Sequence, residues 1–212
     1  MTRLNHDGSR TDSSVREQFP DAARTTPHDL DLAEAAARDF LKALGMPCDT
    51  PSTVDSPRRM AAAYAQMLTA REFEMTTFDN DERYDEMVVV ADIPMQSICE
   101  HHLLPFTGTA HIGYLPDRRI LGLSKFARVV EMFAKRPQVQ ERLTKQVTDW
   151  LDEQLAPRGV GVVIEAAHSC MSLRGAQVHG TTTRTSSLTG AMREIPATRA
   201  EFFSTISERK SR

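Results

Sequence analysis

Two short clusters of thiol and imidazole side chains stand far apart in this chain. They are Cys99-Glu100-His101-His102 and His168-Ser169-Cys170. Thiolate and imidazole are the ligands that zinc prefers in proteins. If the fold joins the clusters, Cys99, His102 and Cys170 supply three ligands, and the fourth tetrahedral position stays open for water, as in catalytic zinc sites.

The two remaining histidines of the clusters, His101 and His168, are candidates for acid and base. Imidazole titrates close to neutral pH, so both could move protons beside that water. Alternatively, one of them is a fourth ligand and the zinc site is closed and structural. Glu100 could orient a histidine or be a solvated loop charge.

A second group of side chains could bind an anion. Ser124 and Lys125 lie at a predicted helix N-terminus, with Arg128 one turn further on. Backbone N–H groups and the helix dipole favour anions there, although an ordinary N-cap with a solvated basic face fits these residues equally well. Arg174, just after the second cluster, could bring a further guanidinium to the same anion, and Arg59 is a weaker candidate.

Gln140 and Glu141 open the helix that follows. An amide beside a carboxylate offers donors and acceptors that match the N1–H, 2-amino and 6-oxo edge of a guanine or pterin ring. However, a surface glutamine and a glutamate in the first helical turn are common for dipole reasons alone. On the residues alone, this second interpretation is favoured.

The overall composition excludes several classes of protein. The chain has 212 residues and a net charge of -3, which gives no electrostatic reason to expect nucleic-acid or membrane binding. Three cysteines do not indicate a disulfide framework, and two of them lie beside histidines, which favours a metal site in a reducing compartment. With no apolar leader at the N-terminus and no apolar run of membrane-spanning length, we expect a cytoplasmic protein.

The pattern of apolar residues predicts the elements that must position these side chains. We expect helices over 30–44, 56–68, near 124, near 137 and over 198–206, and strands over 87–98, 106–115, 160–167 and 177–187. This order predicts an α+β fold, with an antiparallel four-stranded sheet, two helices on one face (ββααββ) and N-terminal helices before it. In an extended chain, His168 and Cys170 share one face.

The chain also divides by composition. Residues 1–27 are polar and predicted to be disordered, residues 28–75 are predicted to form a helical segment, and residues 76–212 are predicted to form the domain that carries both clusters. A four-stranded sheet leaves two open edges that invite pairing with a neighbouring subunit. We therefore expect a homo-oligomer.

Taken together, these residues resemble the GTP cyclohydrolase I family. The matching strings are CEHHLLPFTG at 99–108, HIGYLP at 111–116, LGLSKFARVVE at 121–131, QVQERLTKQ at 138–146 and EAAHSCMSLRG at 165–175. They occur in the family order, and the resemblance extends over residues 30–206. It implies the tunnelling fold and a zinc-dependent enzyme that hydrolyses GTP at C8, giving formate and 7,8-dihydroneopterin triphosphate.

The resemblance also implies a role for each candidate residue. The zinc ligands would be Cys99, His102 and Cys170, and the acid/base residues would be His101 and His168. Guanine would be contacted by Gln140 and Glu141. The triphosphate would be contacted by Ser124, Lys125, Arg128, Arg174 and Arg59. His168 is the one expected to protonate the purine at N7. The family's bacterial members imply a decamer of two pentameric rings, with active sites at subunit interfaces.

Two other functions fit parts of the pattern. A reductase of a 7-deazaguanine nitrile shares the fold, but it needs a nucleophilic cysteine and a nicotinamide cofactor, whereas both clustered cysteines here match zinc ligands. A non-catalytic pterin or nucleotide-binding protein with a structural zinc would have no need of His101, His168 and the basic group on the helix. The sequence leaves open which pathway uses the product.

Overall fold

The computed structural model of the chain describes residues 28–208, so the predicted disordered extension lies outside the described residues. The helices are α1 (Leu30–Ala43), α2 (Ser56–Met67), α3 (Leu123–Ala134), α4 (Gln140–Leu155), α5 (Ser169–Ser172), α6 (Gly190–Glu194) and α7 (Pro196–Glu208). The strands are β1 (Thr77–Asp79), β2 (Val88–Cys99), β3 (Pro105–Leu115), β4 (Arg119–Leu121), β5 (Pro137–Gln138), β6 (Gly159–His168) and β7 (Thr183–Leu188).

The main sheet has the strand order β5-β2-β3-β6-β7. Its four longer strands are antiparallel neighbours, which confirms the predicted ββααββ arrangement. The short strand β5 adds a fifth, parallel member beside the end of β2, and β1 and β4 form a separate two-stranded sheet. Neither of these additions follows from the hydrophobic pattern.

Helices α3 and α4 cover one face of this sheet. Their apolar residues recur at helical spacing, so Phe126, Phe133, Val147 and Trp150 all point to the same core and are fully buried. Alternate residues of β6, such as Val162, face this core from the sheet. The predicted two-helix layer is therefore confirmed.

The C-terminal helices cover part of the opposite face. Val163 of β6 packs there against Met192 of α6 and Phe202 of α7. Gly113 of β3 and Gly161 of β6 are register partners. A Cβ atom on either one would lie within 2.8 Å of the Phe202 ring. The two glycines therefore make the space into which this ring fits.

Two predicted boundaries differ from the structure. The helix expected near Pro137 begins at Gln140, because Pro137 and Gln138 pair with the end of β2. The strand expected from Gln177 begins at Thr183. The chain before it turns repeatedly, with positive φ at Gln177 and Gly180.

The N-terminal helices and the loop that follows them contact the rest of the chain through specific bonds. The Tyr64 hydroxyl donates to the carbonyl of Leu103 at 3.1 Å, and the guanidinium of Arg71 donates to the carboxylate of Glu131. The apolar side chains of α1 are largely exposed, including Leu32 at 67%. The predicted division at residue 75 stays a prediction. None of the helices in residues 28–208 is long and apolar enough to cross a membrane.

The close approach of Phe202 to the sheet gives a first prediction. Gly161→Ala should lower the free energy of unfolding by about 1–3 kcal/mol, because the added methyl overlaps the ring. Chemical denaturation at fixed protein concentration measures the change. In a Phe202→Leu background the same substitution should cost less, and an equal cost in both backgrounds would contradict this packing.

Candidate metal centre and active site

The two sequence clusters meet at one edge of the main sheet, namely the edge where β2 and β6 end and β3 begins. Strand β2 ends at Cys99, and β6 ends at His168, which is the register partner of Phe106 at the start of β3. Between β2 and β3, the Leu103 N–H donates to the Cys99 carbonyl at 2.8 Å, and the Cys99 N–H donates to the carbonyl of Leu104 at 2.9 Å. These bonds close the turn that carries the first cluster.

Three potential ligand atoms converge at this edge. Those of Cys99, His102 and Cys170 all lie within 4.8 Å of one another. The Sγ of Cys99 lies 3.9 Å from the Nδ1 of His102. Around a tetrahedral zinc, ligand atoms are about 3.5–3.8 Å apart, so small side-chain adjustments bring these three to bonding distance. The donor set therefore fits zinc.

The backbone that brings Cys170 to this group differs from the prediction. His168 ends the strand, but Cys170 lies in the single helical turn α5, so the expected extended chain through both residues is wrong. Burial and the adjacent Cys99 thiol raise the pKa of the Cys170 thiol. A bound cation would reverse that effect, because metal ions favour the thiolate.

His101 lies beside the ligand group without joining it. Its Nδ1 is 3.9 Å from the Sγ of Cys99, and its side chain is 63% exposed. Within residues 28–208, the metal-sized grouping contains Cys99, His102 and Cys170 but neither His101 nor His168. This favours a three-ligand site over a closed four-ligand one.

The turn that holds the first cluster is tied to β5 and α4 by polar bonds. The Glu100 N–H donates to the carbonyl of Gln138 at 3.0 Å. The Glu100 carboxylate pairs with Arg142, whose Nε donates to the side-chain oxygen of Gln138 at 2.9 Å. Glu100 is therefore an anchor for the turn. Sequence analysis did not single out Arg142, since nothing in its spacing marks a contact 42 residues away.

His168 is held on two sides. Its ring stacks on Phe106, with ring centroids 4.5 Å apart and planes 7° from parallel. Its Nε2 lies 2.8 Å from the side-chain oxygen of Gln140. Burial lowers the pKa of His168, although the nearby Glu141 carboxylate opposes the shift. Sequence analysis placed Phe106 only in a strand and gave it no role at the site.

Gln140 and Glu141 occupy different environments at the start of α4. Gln140 is buried, with 2% of its surface exposed, and its side-chain amide bonds within the chain. Glu141 is exposed. The expectation that both contact guanine stays a prediction.

The basic group on α3 is separate from the ligand group within one chain. Helix α3 begins at Leu123 after an N-cap at Gly122, so Ser124 is not the N-cap. Arg128 pairs with Glu131, and the exposed Arg59 pairs with Asp55 on the surface of α2. Among residues 28–208, no hydrogen bond or ion pair joins Ser124, Lys125, Arg128 or Arg59 to the clustered cysteines and histidines. Arg174 is nearer, since its charge acts on the Cys170 thiol.

Comparison with known proteins decides the family. The family model for GTP cyclohydrolase I matches residues 33–207. This chain belongs to the GTP cyclohydrolase I family. The resemblance of the sequence motifs to that family is thereby confirmed.

Relatives of this family match along nearly their whole length. GTP cyclohydrolase 1 of Mycolicibacterium gilvum is 49% identical over 193 residues, which cover 88% of this chain and 96% of the relative. The Sulfurihydrogenibium sp. protein of the same name is 46% identical over 182 residues, covering 86% and 97%. A solved structure, the archaeosine synthase QueF-like in the apo form, has 15% identity and a TM-score of 0.42, and covers 49% of this chain and 93% of its own.

Glu131 gives a prediction on pH for this cyclohydrolase-family chain. Burial alone would raise the pKa of its carboxyl, but the bonds from Arg71 outweigh burial and hold the pKa below the ordinary 4.5. The stability that this carboxylate adds is therefore present above pH 4.5 and is lost as the pH falls through its lowered pKa. In Glu131→Gln, we expect lower stability at neutral pH and a weaker loss on acidification.

Denaturant midpoints from neutral to acidic pH measure this difference. Glu34→Gln is a suitable control, because Glu34 forms a surface pair with Arg38 on α1, and such pairs add little to stability. A constant difference between the wild type and Glu131→Gln at every pH would contradict the assignment.

Proposed function

We propose that this chain carries out the GTP cyclohydrolase I reaction with zinc. It hydrolyses GTP at C8 of the purine, releases formate and gives 7,8-dihydroneopterin triphosphate, the first step of tetrahydrofolate and pterin biosynthesis. Family membership supports the reaction class. The observation that carries the proposal is the convergence of Cys99, His102 and Cys170 at the sheet edge that also holds His168.

Cys99, His102 and Cys170 would hold the zinc ion. When bound, zinc supplies the Lewis acidity that makes water a usable nucleophile near neutral pH. Three ligands rather than four support a catalytic site with an open position.

His168 and His101 are proposed to move the protons. Purine N7 must gain a proton as water adds to C8, and His168 is placed by its stacking on Phe106 and its bond to Gln140. Because burial lowers the pKa of His168, its protonated form is a stronger acid than free imidazolium and gives up its proton more readily. The exposed His101 is proposed as the second acid/base group.

The remaining predicted residues would bind the substrate. We propose that the Glu141 carboxylate accepts from the N1–H and 2-amino group of guanine. Gln140 was predicted beside it, but its amide already bonds within the chain, which makes it the weaker partner for the purine. The triphosphate would lie against Ser124, Lys125, Arg128, Arg174 and Arg59. Binding energy from this remote group would hold C8 in register.

We propose that the site is completed by a neighbouring subunit. Within residues 28–208, no hydrogen bond or ion pair joins the basic group on α3 to the ligand group, and β5 and β7 are the outer strands of the main sheet. Exposed apolar side chains on α1, such as Phe40 at 54%, also suit a subunit contact. A decamer of two pentameric rings, as the family resemblance implies, would bring the two groups together. The free cysteines suit the reducing cytoplasm.

A first experiment compares the wild type with Cys170→Ser for bound zinc and for GTP turnover. We expect the wild type to bind zinc and to release formate with the dihydropterin chromophore, and the variant to lose metal and activity together. Cys48→Ser is the matched control, because Cys48 lies outside the ligand group and should keep both. If the zinc-loaded wild type leaves GTP unchanged, the proposed reaction is wrong.

The anchored turn gives a second prediction. Arg142→Ala removes the partner of Glu100 and should weaken zinc binding about three- to fivefold, because a half-exposed ion pair is worth about 1 kcal/mol or less. Competition with a chromophoric chelator measures the zinc affinity. Lys145→Ala is the control, since Lys145 pairs with Asp149 on the outer surface of α4. An unchanged affinity in Arg142→Ala would show that this ion pair does not preorganise the ligands.

A further inference from the structure

Both polar groups of the Gln140 side chain form hydrogen bonds within the chain. Gln140 is 2% exposed. Its Nε2 lies 3.0 Å from the carbonyl oxygens of both Ile164 and Thr183, and its Oε1 lies 2.8 Å from the Nε2 of His168. A buried amide bonded at both ends has little capacity left for an incoming purine.

Chemistry decides which way this amide faces. The carbonyls of Ile164 and Thr183 can only accept hydrogen bonds. Turning the amide over would set its oxygen against two other oxygens at about the same 3.0 Å separation, which is repulsive. The nitrogen of Gln140 therefore faces the two carbonyls.

Neighbouring threonines support this orientation. Thr144 Oγ1 donates to the backbone carbonyl of Gln140 at 2.8 Å, so its single hydrogen is already in a hydrogen bond. Thr185 Oγ1, at 2.6 Å, must then donate to Thr144. A lone pair of Thr185 remains to accept from the amide nitrogen of Gln140 at 3.1 Å. Every hydrogen in this network has an acceptor.

The orientation of Gln140 fixes the tautomer of His168. An amide oxygen only accepts, so the hydrogen between Gln140 and His168 must be carried by the histidine Nε2. Parallel stacking on Phe106 holds the plane of the ring. Among residues 28–208, Nδ1 of His168 has no hydrogen-bond partner. The free ring nitrogen is therefore Nδ1.

We propose that Gln140 is a positioning residue that keeps a hydrogen on Nε2 of His168, so that His168 exchanges its catalytic proton through Nδ1. The identity of the proton acceptor, purine N7, rests on the proposed function. When the Nδ1–H bond breaks, its proton passes to N7 and the ring returns to the neutral Nε2–H form. The bond to Gln140 stays intact throughout this step, so the ring keeps its position.

The tautomer itself can be observed without turnover. Solid-state ¹⁵N NMR of the zinc-loaded wild type separates protonated from unprotonated ring nitrogens of a neutral histidine. The His168 signals are identified by their loss in His168→Asn. We expect a protonated Nε2 and an unprotonated Nδ1, and the reverse assignment would overturn the proposal.

Kinetics of a matched set of variants test the role of Gln140. Gln140→Met keeps the size of the side chain but removes the acceptor for His168. We expect its kcat to fall about 10–100-fold with KM for GTP changed less than about threefold, since a misplaced catalytic group affects the chemical step. Lys145→Ala, on the exposed face of the same helix and outside this network, should have a kcat close to that of the wild type.

Discrimination between GTP and inosine triphosphate separates positioning from purine recognition. The inosine nucleotide lacks the 2-amino group, so a residue that binds this group changes the ratio of kcat/KM for the two substrates. The ratio should stay at the wild-type value in Gln140→Met and fall in Glu141→Gln. A fall in Gln140→Met equal to that in Glu141→Gln would overturn the proposal.

These outcomes distinguish the inference from the function on which it rests. If the wild type does not turn over GTP, the proposed function fails, while the ¹⁵N spectrum still decides whether Gln140 sets the tautomer. If the wild type is active and Nδ1 carries the hydrogen, the positioning role fails and the proposed function stands. If Gln140→Met does not fold, the spectrum of the wild type still decides which ring nitrogen of His168 carries the hydrogen.

Discussion

The antiparallel pairing of β2, β3 and β6 is the constraint on which the site depends. Because β3 runs against both neighbours, the end of β2, the start of β3 and the end of β6 all lie at one edge, where Phe106 is the register partner of His168. A shift of one residue between β3 and β6 would turn Val162 out of the core. The buried face of the sheet therefore also sets the position of the site.

Residues 138–140, which lead from β5 into the first turn of α4, bond to both halves of the site. The backbone of Gln138 receives the N–H of Glu100 beside the first cluster, and the side chain of Gln140, two residues later, receives the N–H of His168 in the second. Each of these glutamines also bonds to main-chain carbonyls of the core. The turn that carries Cys99 and His102 and the ring of His168 are thus both bonded to residues 138–140.

The sequence alone predicts the order of the longer strands and the grouping of Cys99, His102 and Cys170, for identifiable reasons. Thiol and imidazole beside each other are rare enough to mark Cys99 and Cys170, and apolar periodicity locates the longer strands and helices. The local pattern cannot show that Pro137 pairs with β2, nor that Cys170 lies in a helical turn, because tertiary contacts decide both. The internal bonding of Gln140 is hidden for the same reason, since its partners lie 24 to 45 residues away.

The distance along the chain between the two ligand segments has a thermodynamic consequence. About 70 residues, including α3 and α4, separate Cys99 from Cys170, so an ion held by both would act as a reversible cross-link around this long segment. Such a link restricts the unfolded chain much as a disulfide does, and ligands that bind only the folded state add to its stability. If the proposed ion is bound, metal content and resistance to unfolding would be coupled properties of this architecture, and loss of the ion would weaken the sheet as a whole.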